Sequence, residues 1–250
     1  MPPTIHLVRH AQGFHNLSVE NESLRDPDLT ALGEQQCADL RSAFPSHARL
    51  TGLVASPLRR TIQTCDLAFG GADKLYPIVL LDTLQEVSGA PCDTGSSKAA
   101  LRAEFGDKID LQRVRDSWTE KGEGSAFEPT MEALMARAKT ARRALREMAG
   151  DGDDEIAVVS HGGFLHFLTD DWDGVPLDKG SLATAWTNCM CRSYQFAESP
   201  DDKDDVRLVE TKESWARRQP TSRQPLTATE QREIRAIVQK RLVPYLKIKA

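Results

Sequence analysis

The chain lacks a long hydrophobic run and has little excess of charge of either sign. Of its 250 residues, 28% are charged, and the formal net charge is −5. No apolar stretch approaches the ~20 residues that a membrane-spanning helix needs. No basic stripe with interleaved aromatic residues is present to bind nucleic acid or an anionic membrane. We therefore expect neither a nucleic-acid nor a membrane partner, whereas a local cluster of arginines could still bind a small anionic substrate.

The sequence also lacks a secretory leader and a cysteine framework. Met1-Pro2-Pro3 precedes the first apolar run without the charged and apolar regions of a signal peptide. The five cysteines are an odd number and are scattered, which favours reduced thiols. Cys189 and Cys191 favour packing in a strand over metal binding, because no second pair completes a zinc site. We therefore expect a cytoplasmic protein with no metal and no other cofactor.

Short apolar runs alternate with helical patterns along most of the chain. Strands are predicted at residues 4–9, 52–55, 77–81, 155–160 and 189–196. Helices are predicted over 30–44, 57–69 and 130–150. Thr30 would cap the first helix, and Met135 would lie on the apolar face of the third, which ends at Gly150. This alternation predicts an α/β fold, a three-layer α/β/α sandwich with a mostly parallel central sheet.

The carboxyl-terminal region is more polar. Residues 211–226 contain two prolines, and we predict a tail segment there. Thr227 and Glu230 have the spacing of a capping box at the start of a final helix. We predict one domain over residues 1–250, with a C-terminal helical extension at about 211–250.

Residues that can do chemistry follow four of the predicted strands, near the point where each strand ends. Arg9 and His10 end the first, and Arg60 follows the second. Glu86 follows the third, and His161 follows the strand at 155–160. Because ligands of an open α/β sheet bind beyond the carboxyl ends of its strands, we expect these side chains to converge at one edge.

These residue types together suit phosphoryl transfer. A neutral imidazole is a nucleophile that can accept a phosphoryl group on nitrogen. The planar fork of arginine gathers phosphoryl oxygens and offsets the charge of the transition state. A carboxylic acid can protonate the leaving oxygen and later deprotonate the attacking water. The set of His10, Arg9, Arg60, His161 and Glu86 supplies these roles and requires no metal ion.

Four blocks of the sequence, in order, resemble the histidine phosphatase superfamily: VRHAQGFHN, SPLRRTIQT, LQE and VVSHGG. The resemblance covers about residues 4–196 and points to the phosphoglycerate-mutase-like branch. A single Arg-His pair is a weak signal, whereas four ordered blocks at predicted strand ends are specific. The stretch LQEVSGAPCDTGSSK resembles fungal phosphomutase-like members. The resemblance implies a phosphoglycerate-mutase-like fold and a small phosphorylated substrate.

The resemblance also implies a role for each site residue. His10 would be the phosphorylated nucleophile, and Glu86 the proton donor. Arg9, Arg60 and His161 would form the phosphate pocket. Asn16 matches a phosphate-contacting asparagine of the family, and the complete set of candidate substrate-binding residues is Gln12, Asn16 and Gly162.

Departures from the family pattern favour hydrolysis. Gly13 stands where mutases carry a serine that contacts substrate, and the region after Glu86 does not resemble the mutase segment. Glycine follows His161 where acid phosphatases and phytases carry aspartate. The prediction is a metal-independent phosphatase that hydrolyses a small phosphomonoester through phosphohistidine. A phosphomutase, and a non-catalytic phosphate-binding interaction module, are the alternatives.

Three assignments have alternatives in the sequence. Asp82 and Asp93 lie near Glu86 and compete with it for the role of the acid. His15 is interpreted as a wall of the pocket rather than a second nucleophile. The loop Cys92–Gly95 could equally be a specificity lid or a structural loop. The sequence indicates no oligomeric state.

Overall fold

The structure is a computed structural model, and it describes residues 2–150, 152–175, 184–198, 206–218 and 225–242. Its strands are β1 (Thr4–Arg9), β2 (Leu50–Ala55), β3 (Ile78–Leu80), β4 (Ile109–Asp110), β5 (Glu155–Ser160), β6 (Cys191–Glu198) and β7 (Val206–Glu210). Its α-helices are α1 (Ala31–Ala43), α2 (Arg59–Phe69), α3 (Lys98–Phe105), α4 (Met131–Ala149), α5 (Gly162–Thr169), α6 (Lys212–Arg218) and α7 (Ala228–Leu242).

The strands form one seven-stranded sheet in the order β4-β3-β2-β5-β1-β6-β7. β1 to β5 run parallel to one another, and β6 is antiparallel to β1 and to β7. The parallel register places Arg9, the last residue of β1, beside Ser160 at the end of β5. The carboxyl ends of β1, β2, β3 and β5 therefore meet at one edge of the sheet.

Alternating side chains on the central strands build two hydrophobic clusters, one on each face of the sheet. Val8 belongs to the cluster that includes Cys37 of α1 and Ile62 of α2. Ile5 belongs to the cluster on the opposite face, which includes Leu134 of α4. Successive side chains of a strand point to opposite faces of the sheet, so the apolar residues of one strand, such as Ile5 and Val8 of β1, contribute to both clusters. The predicted three-layer α/β/α sandwich is confirmed.

The helix starts follow the predicted capping chemistry. The Thr30 hydroxyl accepts a hydrogen bond from the Gly33 amide at 3.1 Å, which caps α1. Thr227 and Glu230 form the expected reciprocal pair at the start of α7: the Thr227 amide donates to Glu230 Oε2 at 2.7 Å, and the Glu230 amide donates to the Thr227 hydroxyl at 3.3 Å. At the carboxyl-terminal end of α4, Gly150 has φ +66°, which glycine adopts without strain.

Several local predictions were wrong. Part of the predicted tail at 211–226 is helix α6, where the buried Ser214 hydroxyl accepts a hydrogen bond from the Ser193 amide of β6 at 3.0 Å. The stretch 219–224 lies outside the described residues. Met135 is half exposed rather than packed on the apolar face of α4. β4, β7, α3 and α5 were not predicted from the sequence. Among the described residues, no helix combines the length and the apolar character needed to cross a bilayer.

Candidate active site

His10 stands immediately after β1, where its amide donates to the Ser160 carbonyl at 2.9 Å. Its ring is buried, and Nδ1 lies 2.7 Å from the Ala11 carbonyl oxygen. A carbonyl oxygen only accepts, so we assign the ring proton to Nδ1 and the lone pair to Nε2. Burial lowers the pKa of His10 well below its ordinary value, and the nearby positive charge of Arg60 lowers it further. His10 is thus a neutral imidazole with one nucleophilic nitrogen.

Arg60, on the first turn of α2, carries a fully buried guanidinium. It donates to the Cys92 carbonyl at 2.6 Å, to Asp93 Oδ1 at 2.9 Å and to His161 Nδ1 at 3.1 Å. These three acceptors hold the plane of the guanidinium in one orientation. Its Nε–H is buried and has no hydrogen-bond partner among the described residues.

His161 lies between β5 and α5, at the N-cap position of the helix, and its ring centre lies 5.2 Å from that of His10. Since Arg60 donates to Nδ1, the ring proton belongs on Nε2, which donates to the Ser56 hydroxyl at 2.9 Å. Burial, followed by the charge of Arg60, lowers the pKa of His161 well below its ordinary value. The two histidines predicted from separate strand ends therefore face each other, and both are neutral.

Arg9 reaches the same edge from the end of β1. Its Nη1 donates to the Trp186 carbonyl at 2.6 Å, and its Nε is buried without a partner among the described residues. A Cβ added to Gly162 would lie 3.1 Å from Arg9 Nε and 2.8 Å from the Thr184 side chain, so the glycine lets α5 approach this arginine closely. Gly162 was predicted to bind substrate, and the structure places it against Arg9.

Glu86 follows β3 and accepts three backbone hydrogen bonds. Its Oε1 receives the amides of Val87 and Phe164 at 2.9 Å, and Oε2 receives that of Gly163 at 3.1 Å. The carboxyl group therefore sits at the amino-terminal end of α5. Burial raises its pKa, as does the negative charge of Asp93, while the backbone hydrogen bonds oppose the rise. The net effect is a raised pKa, so the Glu86 carboxyl group can carry a proton.

One rival of Glu86 is excluded from the site by its partners. Both carboxylate oxygens of Asp82 accept from the Arg115 guanidinium, at 2.8 Å and 2.9 Å. Asp93, the other rival, lies inside the site, bound to Arg60. The loop Cys92–Gly95 therefore contributes directly to the site, through the Cys92 carbonyl and the Asp93 carboxylate.

Of the other predicted contacts, Asn16 and His15 lie close to His10. The His15 ring centre is 5.3 Å from that of His10, and burial lowers the pKa of His15 to about 2. Asn16 is exposed, and its Oδ1 accepts the Gly13 amide at 3.1 Å. Gln12 instead points to α1, where its Oε1 accepts the Thr30 hydroxyl at 2.9 Å.

Sequence reasoning missed two cations beside Glu86. Lys121 donates to the Ser88 carbonyl at 3.1 Å, and burial lowers its pKa to about 7. Arg137 of α4 donates to the Gln85 and Glu86 carbonyls at 3.0 Å and 3.1 Å, and burial lowers its pKa to about 10. Arg137 did carry a signal, because it occupies the apolar face of its helix. Lys121 carried none, because it lies in an irregular segment.

Two neutral histidines, two arginines and a protonatable carboxyl group together have the chemistry to bind a phosphoryl group and to transfer a proton. No group of three or more His, Cys, Asp or Glu side chains among the described residues is arranged to hold a metal ion.

Comparison with solved structures relates the fold to enzymes that act on phosphate esters. The ecdysone phosphate phosphatase of Bombyx mori, solved with tungstate, superposes with a TM-score of 0.52 at 17% identity, covering 90% of this chain and 96% of that one. A phosphoserine phosphatase of Entamoeba histolytica, solved with phosphoserine, gives a TM-score of 0.50 at 14% identity, covering 84% and 96%. At these identities the likeness establishes the fold alone.

Sequence comparison is more specific. A phosphoglycerate mutase-like protein of Arabidopsis thaliana is 30% identical over 235 residues, covering 78% of this chain and 84% of the relative. A second Arabidopsis protein, phosphoglycerate mutase-like protein 2, is 46% identical over 260 aligned positions, covering 78% and 74%. Phosphomutase-like protein 3 of Candida albicans is 25% identical, covering 66% and 58%. The model of the histidine phosphatase superfamily (branch 1) matches residues 5–204. The chain belongs to the histidine phosphatase superfamily.

Proposed function

We propose that this protein is a phosphatase that hydrolyses a small phosphomonoester through a phosphohistidine on His10. The observation that carries the proposal is the hydrogen bond from His10 Nδ1 to the Ala11 carbonyl, which leaves Nε2 as the nucleophile. His161 lies beside the His10 ring, the charge of Arg60 acts on that ring, and Arg9 and Arg60 each have a buried Nε–H without a partner among the described residues. The site thus combines a nucleophile with donors for an anion.

The reaction would proceed in two displacements. His10 Nε2 attacks phosphorus, the phosphorus–oxygen bond to the leaving group breaks, and Glu86 gives its proton to the departing oxygen. Water then attacks the phosphohistidine, Glu86 takes its proton, and inorganic phosphate leaves with His10 restored. The guanidinium groups of Arg9 and Arg60 offset the charge on the phosphoryl oxygens in both steps. The roles of Gln12, Asn16 and Gly162 in binding substrate are part of the same proposal.

Hydrolysis of p-nitrophenyl phosphate by the native protein and by His10→Ala tests the proposal. We expect the variant to lose activity by about 10³-fold or more, as for other removed nucleophiles. His47→Ala is the matched control, because His47 packs on Phe44 away from the site. Equal activity of the native protein and His10→Ala would overturn the assignment. Activity should persist in EDTA, whereas inhibition that a divalent metal reverses would contradict the metal-independent mechanism.

A phosphomutase is the second candidate, because the Arabidopsis relatives carry mutase-like names. A mutase would return the phosphoryl group from His10 to the product before water attacks. Incubation with 3-phosphoglycerate and a bisphosphate primer distinguishes the two reactions. Phosphate release without isomer supports hydrolysis, and isomer formation supports the mutase.

A further inference from the structure

A short loop after Glu86, residues 88–93, accepts hydrogen bonds from the Arg60 guanidinium. The Asp93 carboxylate is buried, and its Oδ1 accepts from Arg60 Nη2 at 2.9 Å. Its Oδ2 accepts the Ser88 hydroxyl at 2.5 Å, and the Cys92 carbonyl accepts Arg60 Nη1 at 2.6 Å. Both oxygens of Asp93 are therefore engaged, and Ser88 fixes the carboxylate in place.

This arrangement offsets the cost of burying the Arg60 guanidinium. A fully buried guanidinium is costly unless it is paired and hydrogen-bonded. Asp93 supplies the countercharge, and the Cys92 carbonyl and His161 Nδ1 accept two further N–H groups. The orientation of Arg60 is thus set before any phosphoryl group arrives, which is the condition for electrostatic preorganisation.

Asp93 also affects the charge balance around Glu86. Among the described residues, the charged groups that act on Glu86 are the cations Arg9, Arg60, Lys121 and Arg137 and the carboxylate of Asp93. Positive charges favour the ionised form of a carboxyl group, and a nearby negative charge favours the protonated form. Asp93 therefore opposes the effect of the four cations.

We propose that Asp93 is a positioning residue for the phosphoryl transfer, holding the Arg60 guanidinium ready for the phosphoryl group. From this position beside Arg60, its negative charge also opposes the ionisation of Glu86. The inference rests on the proposed function. It assigns Asp93 a role different from that of the acid, because Arg60 and Ser88 occupy both of its oxygens.

Two substitutions separate the two effects. Asp93→Asn removes the charge but keeps an oxygen that can accept from Arg60, whereas Asp93→Ala removes both. The two variants lack the same charge, so a difference between them reports the hydrogen bond to Arg60. Asp116→Asn serves as the control, because Asp116 is an exposed carboxylate that pairs with Lys98.

Turnover of a phosphomonoester with a poor leaving group, such as β-glycerophosphate, tests the effect on Glu86. We expect Asp93→Asn to lower kcat about tenfold at pH 7 and to move the basic limb of the kcat profile to lower pH. The control should keep the native profile. An unchanged profile in Asp93→Asn would overturn this part of the proposal. Complete loss of the basic limb would also overturn it, because Asp93 itself would then be the acid.

Titration with inorganic phosphate by calorimetry tests the effect on Arg60 and does not depend on turnover. We expect phosphate to bind Asp93→Ala about tenfold more weakly than Asp93→Asn, because only the asparagine holds the guanidinium. Equal affinities would overturn the positioning role. If the native protein turned over no phosphomonoester, the proposed function would fail, and this titration would still decide whether Asp93 positions Arg60.

Discussion

At the scale of single residues, one backbone carbonyl prepares His10 for its proposed role. The Ala11 oxygen lies 2.7 Å from Nδ1 and selects the tautomer whose lone pair is on Nε2. Burial and the neighbouring cations then keep this ring neutral. An imidazole that stays unprotonated at a pH below its usual pKa can act as a nucleophile in mildly acidic solution. In the same solution, a carboxyl group of raised pKa still holds a proton.

Glu86→Gln removes the proposed proton donor with little change of shape. We expect kcat for a poor leaving group to fall by ~10²–10⁴-fold, the usual range for a lost general acid. p-Nitrophenyl phosphate should suffer far less, because nitrophenolate leaves without protonation. Steady-state rates with both substrates measure the effect, with Glu34→Gln on the exposed side of α1 as control. Near-native turnover of the poor leaving group would assign the acid to another carboxyl group.

The pKa directions of two residues predict the pH profile of kcat/KM. Activity needs His10 neutral and Glu86 protonated. Burial lowers the pKa of His10 below 6.5, so the acid limb should lie below that pH. Burial raises the pKa of Glu86 above 4.5, so the basic limb should lie above that pH. An acid limb at pH 6.5 or higher, or a basic limb at pH 4.5 or lower, would contradict the assignment.

The residues that end strands could be predicted, and those that arrive from loops could not. Arg9, His10 and His161 each adjoin a β-rich apolar run, so their convergence follows from the topology of a parallel sheet. Lys121 belongs to an irregular segment, where no periodicity shows which way a side chain points. Its place beside Ser88 depends on how the whole loop folds back.

At the scale of secondary-structure elements, contacts with α1 and α2 hold the segment after β1, which carries the proposed nucleophile. The Ala11 amide donates to the Thr64 hydroxyl of α2 at 3.0 Å, and the Gln12 carbonyl accepts the amide of Thr30, the cap of α1, at 2.9 Å. A Cβ added to Gly33 would lie 2.2 Å from the Gln12 carbonyl oxygen. The backbone on both sides of this contact must therefore stay close.

Gly33→Ala should disturb this contact. Alanine favours helix, but the clash with a backbone oxygen outweighs that gain, and we expect a loss of about 1–3 kcal/mol in the free energy of unfolding. For a chain of this size, that corresponds to a Tm lower by several degrees. Thermal unfolding measures the shift, with the exposed Gln35→Ala on the same helix as control. An unchanged Tm would mean that the segment relaxes freely.

The elements that the sequence predicted share a clear period or an uninterrupted apolar run. α5 was missed because GGFLHFLT is apolar on all sides, so no helical face distinguishes it from a strand. β4 was missed because it has only two residues. β7 was missed because its five residues include a single buried one, Leu208, so they show no clear alternation of apolar and polar residues. Its strand conformation depends on pairing with β6.

At the scale of the whole molecule, buried histidines link stability to pH. His166 is enclosed between the Asp171 carbonyl, the Thr184 hydroxyl and the Trp172 ring, and burial lowers its pKa to about 4. A histidine with a lowered folded-state pKa contributes stability above pH 6.5. That contribution is lost as the pH falls from 6.5 through the folded pKa, because the unfolded chain binds the proton first.

His166→Gln should therefore flatten the acid side of the stability curve. Between pH 6.5 and pH 5, we expect the native protein to lose stability that the variant keeps, with a slope that approaches ~1.4 kcal/mol per pH unit. Urea unfolding at several pH values measures both slopes, and a series at pH 7.5 to 8.5 provides the baseline. Parallel curves would show that His166 takes up no proton on unfolding.

The position of β1 in the sheet has a consequence for how the molecule is made. This first strand lies between β5, which begins at Glu155, and β6, which begins at Cys191. Neither neighbour exists when the amino terminus leaves the ribosome, so β1 must wait for most of the chain before it can pair. Contacts between such distant segments close slowly. The proposed nucleophile, although it stands tenth in the sequence, thus reaches its native surroundings only after the segment that contains Ser160 has been made.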